Sequence, residues 1–156
     1  MAMQHTPLLM SNILDRGATV APNEEIVTLT ETGVRRQSYR ETRDRAHQLA
    51  HALAGAGIKV GDRVGTFMWN GSRHLEAYHA VAGMGAVLHT LNVRLSPKDL
   101  EYIINHAEDQ IIIVDADVLP LLEVLNGKIP TVRKIVVATE DGFEGWSTQL
   151  PDAVDY

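Results

Sequence analysis

Histidine and glycine supply the spacings in this chain that could do chemistry. His47 and His51 stand four apart, so on a helix they would share a face as metal ligands, but neither a third His nor an acidic residue joins them at a suitable spacing. Half-buried or exposed packing is the better account of both. Gly55-Ala56-Gly57-Ile58-Lys59-Val60-Gly61 has the glycines of a dinucleotide loop, yet it follows a helical pattern rather than a strand, so these are turn glycines. No Gly-rich loop ends in Lys-Ser or Lys-Thr. Asn70-Gly71-Ser72 matches a glycosylation sequon, but with no secretory signal it predicts a helix cap instead. His89 sits within a strand pattern and is expected to be a packed side chain with one hydrogen bond rather than an acid or base. Asn92 has the chemistry to shape a turn, and Arg94 beside it is either a solvated charge or the partner of a carboxylate. No catalytic residue and no metal ligand is assigned from spacing alone.

Composition narrows the classes further. The chain has 156 residues, 45% of them hydrophobic, which is enough for one core. A formal charge of -6 with no basic run argues against nucleic acid as a partner. The absence of Cys excludes a disulfide framework, a thiolate nucleophile and a Cys-based zinc site. Residues 1–7 lack a basic region followed by an apolar core, and no apolar run approaches the roughly 20 residues that span a bilayer. A cytoplasmic location and no transmembrane segment are therefore expected.

The elements that would position any site alternate between strand and helix. After an arm over residues 1–13, two β-type runs around Thr32-Gly33 predict a hairpin over 25–38. Ser38 and Glu41 have the spacing of a capping box, followed by the stripe Ala46, Leu49, Ala50 and Leu53. A strand is expected over 63–69, then a helix carrying Leu75, Tyr78, Ala82 and His79 on adjoining faces. Another strand over 86–91 precedes Ser96-Pro97-Lys98-Asp99, which has Ser at the cap, Pro at the first helical position and Asp at the third; Leu100, Ile103, Ile104 and Ala107 form the stripe of that helix. Ile111-Ile112-Ile113-Val114 is a β-branched run without polar alternation, which suits a strand covered on both faces of a parallel sheet. Asp117 is expected to cap a helix over 119–125, and 133–138 is one more strand, with 140–156 a tail. The fold class is α/β, built from layered βαβ units over 39–139 with a mainly parallel sheet. In such folds ligands gather beyond the carboxyl ends of strands, at the loops after Trp69, Leu91, Asp115 and Ala138.

Two longer stretches carry a resemblance. Tyr39-Arg40-Glu41-Thr42, the helix after it and Gly57 with the Gly-Asp-Arg-Val at 61–64 look like the first core motif of the adenylate-forming superfamily. The run HLEAYHAVAGMGAVLHTLNVRLSPKDLEYIINHAED over 74–109 is similar to the second, in the form found in bacterial medium- and long-chain acyl-CoA synthetases. Many superfamily members have Lys-Ala-Gly where this chain has Gly83-Met84-Gly85. The resemblance extends over about 14–139. It implies the amino-terminal part of the large domain of a fatty acid–CoA ligase that converts a fatty acid, ATP and CoA, with Mg, into an acyl-adenylate and then a thioester. It also implies a homodimer or other self-association. Members hold ATP with a Thr/Ser/Gly-rich loop ending in Pro-Lys-Gly, an acidic Mg ligand, an Asp for the ribose and a Lys on a mobile carboxyl-terminal domain. None of these segments occurs in 1–156, so the chain by itself is expected to be inactive. In related ligases the loop after the second motif's strand borders the pantetheine arm of CoA, which here implies Asn92, Val93 and Arg94. Alternatives are an aryl- or amino-acid-adenylating enzyme, or a free-standing α/β binding module. The sheet is further expected to leave an edge and one apolar face for other parts of such an enzyme to cover.

Overall fold

The computed structural model describes residues 7, 9–30, 33–139 and 153–155. The first four residues of Ile111–Asp115 (β5) explain its plan. Ile111, Ile112, Ile113 and Val114 are all wholly buried, and alternate side chains enter two separate cores. Ile112 and Val114 meet one cluster with Leu100, Ile104, Leu119 and Leu122. Ile111 and Ile113 meet the other with Leu53, Ile58, Ala77 and Val81. A strand buried on both faces gains no benefit from polar alternation, which is why its sequence has none.

Around it lies a parallel sheet of five strands in the order β4-β3-β5-β6-β7, where β3 is Arg63–Phe67, β4 is Val87–Thr90, β6 is Lys134–Ala138 and β7 is Ala153–Asp155. One face carries α1 (Met10–Val20), α2 (Tyr39–Gly55) and α3 (Ser72–Gly83). The other carries α4 (Pro97–Ala107) and α5 (Leu119–Glu123). An antiparallel hairpin, β1 (Glu25–Thr30) with β2 (Gly33–Ser38), stands apart from the sheet. Two of the helix starts read from sequence form as expected. Ser38 accepts from the Glu41 amide at 3.2 Å, while Glu41 accepts from the Ser38 amide at 2.8 Å. Ser96 accepts from the Asp99 amide, with Pro97 at the first turn.

Several expectations are corrected. Helix α1 begins at Met10, inside the stretch expected to be an arm, and buries only Leu14 and Ala18. Strands β3 and β4 are shorter than expected, ending at Phe67 and Thr90. Residues 153–155, expected to lie in a tail, pair with β6, whereas 140–152 and 156 lie outside the described residues. The largest correction concerns α3. Its buried side chains are Ser72, His74, Glu76, Ala77, Ala80 and Val81, whereas Tyr78 is exposed and Leu75, His79 and Ala82 are half-buried. The helix is sandwiched, with Ala77 and Val81 against the sheet and Ala80 against Leu14 and Ala46. Close packing of this kind favours alanine over the larger apolar residues that mark a stripe in sequence.

The cap at α3 also differs. Gly71 is the N-cap, without a side-chain bond, and the Ser72 hydroxyl is buried with no partner among the described residues. Instead the Ser72 amide donates to Thr28 Oγ1 at 3.0 Å, so the hairpin satisfies a free donor at the helix end. Asp117 caps nothing: α5 runs only over Leu119–Glu123, after a 3-10 turn at Ala116–Val118, and has no side-chain cap. Nor is a face of β5 left uncovered, since the cores on both sides close within this chain. Among the described residues the expected open edge lies at β4, which pairs with β3 alone.

Candidate functional site

The chain runs from β3 to β4 on one flank, then crosses back to place β5 on the other flank of β3. The strand order therefore reverses at the β3–β5 boundary, where doubly wound sheets form a crevice beyond their carboxyl ends. Here that crevice is tied across. Trp69, just past β3, donates its backbone N–H to Asp115 Oδ2 and its indole Nε1–H to Asp117 Oδ2, both at 2.7 Å. Both groups are N–H donors to carboxylate oxygens, which makes these bonds short and strong. Trp69 as a whole still has 47% of its surface in water. Sequence gave no sign of this clamp, because its three residues are 46 and 48 positions apart.

The turn after β4 is the second component. Leu91 is buried and its amide donates to Thr66 O at 2.8 Å, continuing the ladder past the strand. Asn92 Oδ1 then accepts from the Arg94 amide at 2.9 Å, and Asn92 O accepts from the Leu95 amide at 3.1 Å. Val93 and Leu95 pack against the core, leaving Asn92 and Arg94 exposed. The expectation that Asn92 shapes this turn holds, and the Ser96 cap fixes its far end. The backbone is thus pre-organised, with a guanidinium on its outer surface. Of the loop after β6, only Thr139 is described, and it is buried.

His89 finds the single partner expected of it. Its Nδ1 lies 2.8 Å from Oδ2 of Asp109, a residue that sequence did not single out. Burial raises the Asp109 carboxyl above the usual range, with the hydrogen bond from His89 and the charges of His89 and Arg63 opposing that rise. A second buried polar group was equally illegible. Glu76 is 0% exposed, and its Oε1 accepts from Gln37 Nε2 at 2.7 Å and Arg45 Nε at 2.8 Å. Gln37 Nε2 also reaches Thr42 Oγ1 at 2.9 Å, so hairpin, α2 and α3 share one network.

His47 and His51 border a cavity of about 290 Å³ between α1, α2 and α3, together with Asp15 and His79. His47 Nε2 is 3.7 Å from Asp15 Oδ1, and desolvation depresses the His79 pKa. None of the lining residues lies on a strand or in a loop that follows one. No group of three or more His, Asp or Glu side chains among the described residues is arranged to hold a metal. No helix among those residues is long and apolar enough to cross a membrane.

Comparison with known proteins gives consistent matches. Residues 14–155 match the family described as AMP-binding enzyme. A long-chain-fatty-acid–CoA ligase from Thermus thermophilus is 46% identical over 145 residues, which is 92% of this chain and 27% of the relative. A medium-chain-fatty-acid–CoA ligase from Ectopseudomonas oleovorans is 35% identical over 155 residues, 99% of this chain and 28% of the relative. The crystal structure of an anthranilate CoA ligase with anthranoyl-AMP superposes with a TM-score of 0.76 at 28% identity, covering 88% of this chain and 26% of that one. The chain thus spans about a quarter of the length of the relatives it matches.

Proposed function

The chain belongs to the AMP-binding enzyme family, and from that premise we propose that it supplies the amino-terminal part of an ATP-dependent fatty acid–CoA ligase. Such an enzyme joins a fatty acid carboxylate to the α-phosphate of ATP, releasing pyrophosphate, and then lets the thiol of CoA displace AMP. The observation that carries this reading is likeness along nearly the whole chain to a fatty acid–CoA ligase at 46% identity. Both steps bring anions together and gain from groups held in place before the substrate arrives.

Within that reaction the described residues contribute a rigid rim rather than the reacting groups. The turn 92–94 lies beyond the carboxyl end of β4, where ligands of α/β sheets gather, and its backbone is already fixed by the Asn92 side chain. Arg94 presents a permanent positive charge from it, suited to the polar arm or phosphates of CoA. Asn92, Val93 and Arg94 are proposed on these grounds to border the pantetheine arm. ATP and magnesium would be held by other parts of the enzyme. A cytoplasmic homodimer is the matching proposal for the whole protein, to be checked by cell fractionation and by light scattering across a range of concentrations.

The test is acid-dependent ATP–pyrophosphate exchange by the full-length protein with a panel of carboxylic acids, followed by thioester formation with CoA. Exchange and thioester formation with medium- or long-chain fatty acids are expected. Activity confined to aromatic or amino acids would refute the fatty acid assignment. The 156-residue chain tested alone is expected to give no exchange.

A further inference from the structure

Gly65 lies in the middle of β3, in register with His89 of β4 on one side and Ile112 of β5 on the other. A side chain there would meet Ile112 Cγ1 at 3.1 Å, and Asp109 Oδ2 and Leu91 Cδ1 each at 3.3 Å. A glycine inside a buried strand marks a place where other groups come close to the backbone. In this case two groups come close to each other over it. The edge-strand imidazole of His89 reaches across β3 to the carboxylate just ahead of β5, with Nδ1 at 2.8 Å from Asp109 Oδ2 and 3.1 Å from Oδ1. Asp109 is 0% exposed, whereas the His89 side chain keeps 26% of its surface in water. A carboxylate facing Nδ1 fixes a proton on that nitrogen and so sets the orientation of the ring.

The location gives this pair its consequence. Among the described residues β4, four residues long, pairs with β3 alone, so its carboxyl end has fewer ladder bonds against twisting than a central strand has. His89 is three residues before Asn92. Between them only Leu91 enters the core, and Thr90 is exposed. The turn 92–95 is therefore held by the His89–Asp109 pair and Leu91 upstream, by Val93 and Leu95 packed on the core, and by the Ser96 cap downstream.

We propose that His89, clamped by Asp109 across Gly65, is a positioning residue that sets the 92–94 turn in the orientation that receives CoA. This rests on the proposal that the turn borders CoA, and it gives His89 no part in the adenylation step. His89→Asn places an amide N–H near the position of Nδ1 and keeps the bond to Asp109. His89→Leu removes it. In the full-length ligase His89→Leu is expected to raise the KM for CoA about tenfold, the effect of roughly 1.4 kcal/mol, while fatty-acid-dependent exchange stays within about twofold of wild type. His89→Asn should restore a KM close to wild type. Asp109→Asn, which keeps an oxygen facing Nδ1, is the milder second variant and should resemble His89→Asn.

The same clamp is testable without catalysis. In the 156-residue chain, hydrogen exchange at the Arg94 and Leu95 amides should quicken in His89→Leu but not in His89→Asn. An unchanged KM for CoA in His89→Leu, an equal loss in exchange and thioester formation, or a His89→Asn variant as impaired as His89→Leu would each overturn the proposal. A wild-type enzyme with no fatty-acid-dependent exchange would overturn the ligase reading instead, with the amide measurement still deciding whether the clamp orders the turn.

Discussion

Truncating Glu76 should loosen the hairpin and the helices it ties together, and the structure sets the size of the effect. Glu76 is wholly buried, and its Oε1 takes two donors, Gln37 Nε2 at 2.7 Å and Arg45 Nε at 2.8 Å. Gln37 is itself buried, so Glu76→Ala leaves that amide short of an acceptor. A hydrogen bond to an ionised acceptor contributes roughly 1.5–3 kcal/mol. The Arg45 side chain keeps 44% of its surface in water, so it can rehydrate and adds only about 0–1 kcal/mol. With the small void left by the lost side chain, Glu76→Ala is expected to cost about 3 kcal/mol in total. At a urea m-value of roughly 2 kcal/mol/M that moves the unfolding midpoint down by about 1.5 M. Glu76→Gln keeps an acceptor and nearly the same volume and should cost about 1 kcal/mol. A double-mutant cycle with Gln37→Leu should give a coupling of about 1.5 kcal/mol. The assay is urea unfolding followed by circular dichroism. If Glu76→Ala costs under about 1 kcal/mol, or the cycle shows additivity, the network is not what joins the hairpin to α2 and α3.

Burial depresses the pKa of His74, whose Nε2 is 3.0 Å from Thr66 Oγ1, and also that of His79, so the folded chain favours both imidazoles neutral. Stability is then full above the ordinary histidine pKa of about 6.5 and falls as pH drops through the depressed values, by at most about 1.4 kcal/mol per pH unit for each ring. Melting temperatures between pH 7.5 and 5 should show this fall, and His74→Gln should flatten it; equal slopes would refute the assignment. Gly65→Ala should cost about 1–3 kcal/mol, because the new carbon lies 3.1 to 3.3 Å from Ile112, Asp109 and Leu91, and a variant as stable as wild type would show that this crossing is loose. Ser96→Ala should cost about 1 kcal/mol through the lost cap on α4, measurable as a shift in urea midpoint. In the full-length enzyme Arg94→Ala should raise the KM for CoA and leave pyrophosphate exchange unchanged, since adenylation precedes CoA; equal loss in both half-reactions would mark Arg94 as structural.

Local chemistry made much of the fold legible from sequence. The capping box at Ser38 and Glu41, the Ser96-Pro97 helix start and the unalternated Ile111 to Val114 run each depend on neighbours within a few positions, and all form as their spacing implies. The turn at Asn92 was readable for the same reason, because its side chain bonds two residues ahead. The buried face of α3 was not readable. Its sides are built from alanines and a buried glutamate, which look solvent-facing until α1, α2 and the hairpin are packed against them. Asp117 looked like a cap because it precedes an apolar run, but the indole of Trp69, in the loop after β3, offers its carboxylate a donor instead.

Sequence by itself thus determined the alternation of strand and helix, the parallel sheet with its doubly covered strand, and the family resemblance carried by the run 74–109. Tertiary structure alone decided which polar groups meet. Asp109 finds His89 only because β3 lies between β4 and β5 in space and carries a glycine at the crossing. Asp115 and Asp117 find Trp69 only because β3 and β5 end side by side. Hydrogen bonds act over about 3 Å, and nothing in the order of residues tells which positions 20 or 48 apart the packing of two cores will bring within that reach.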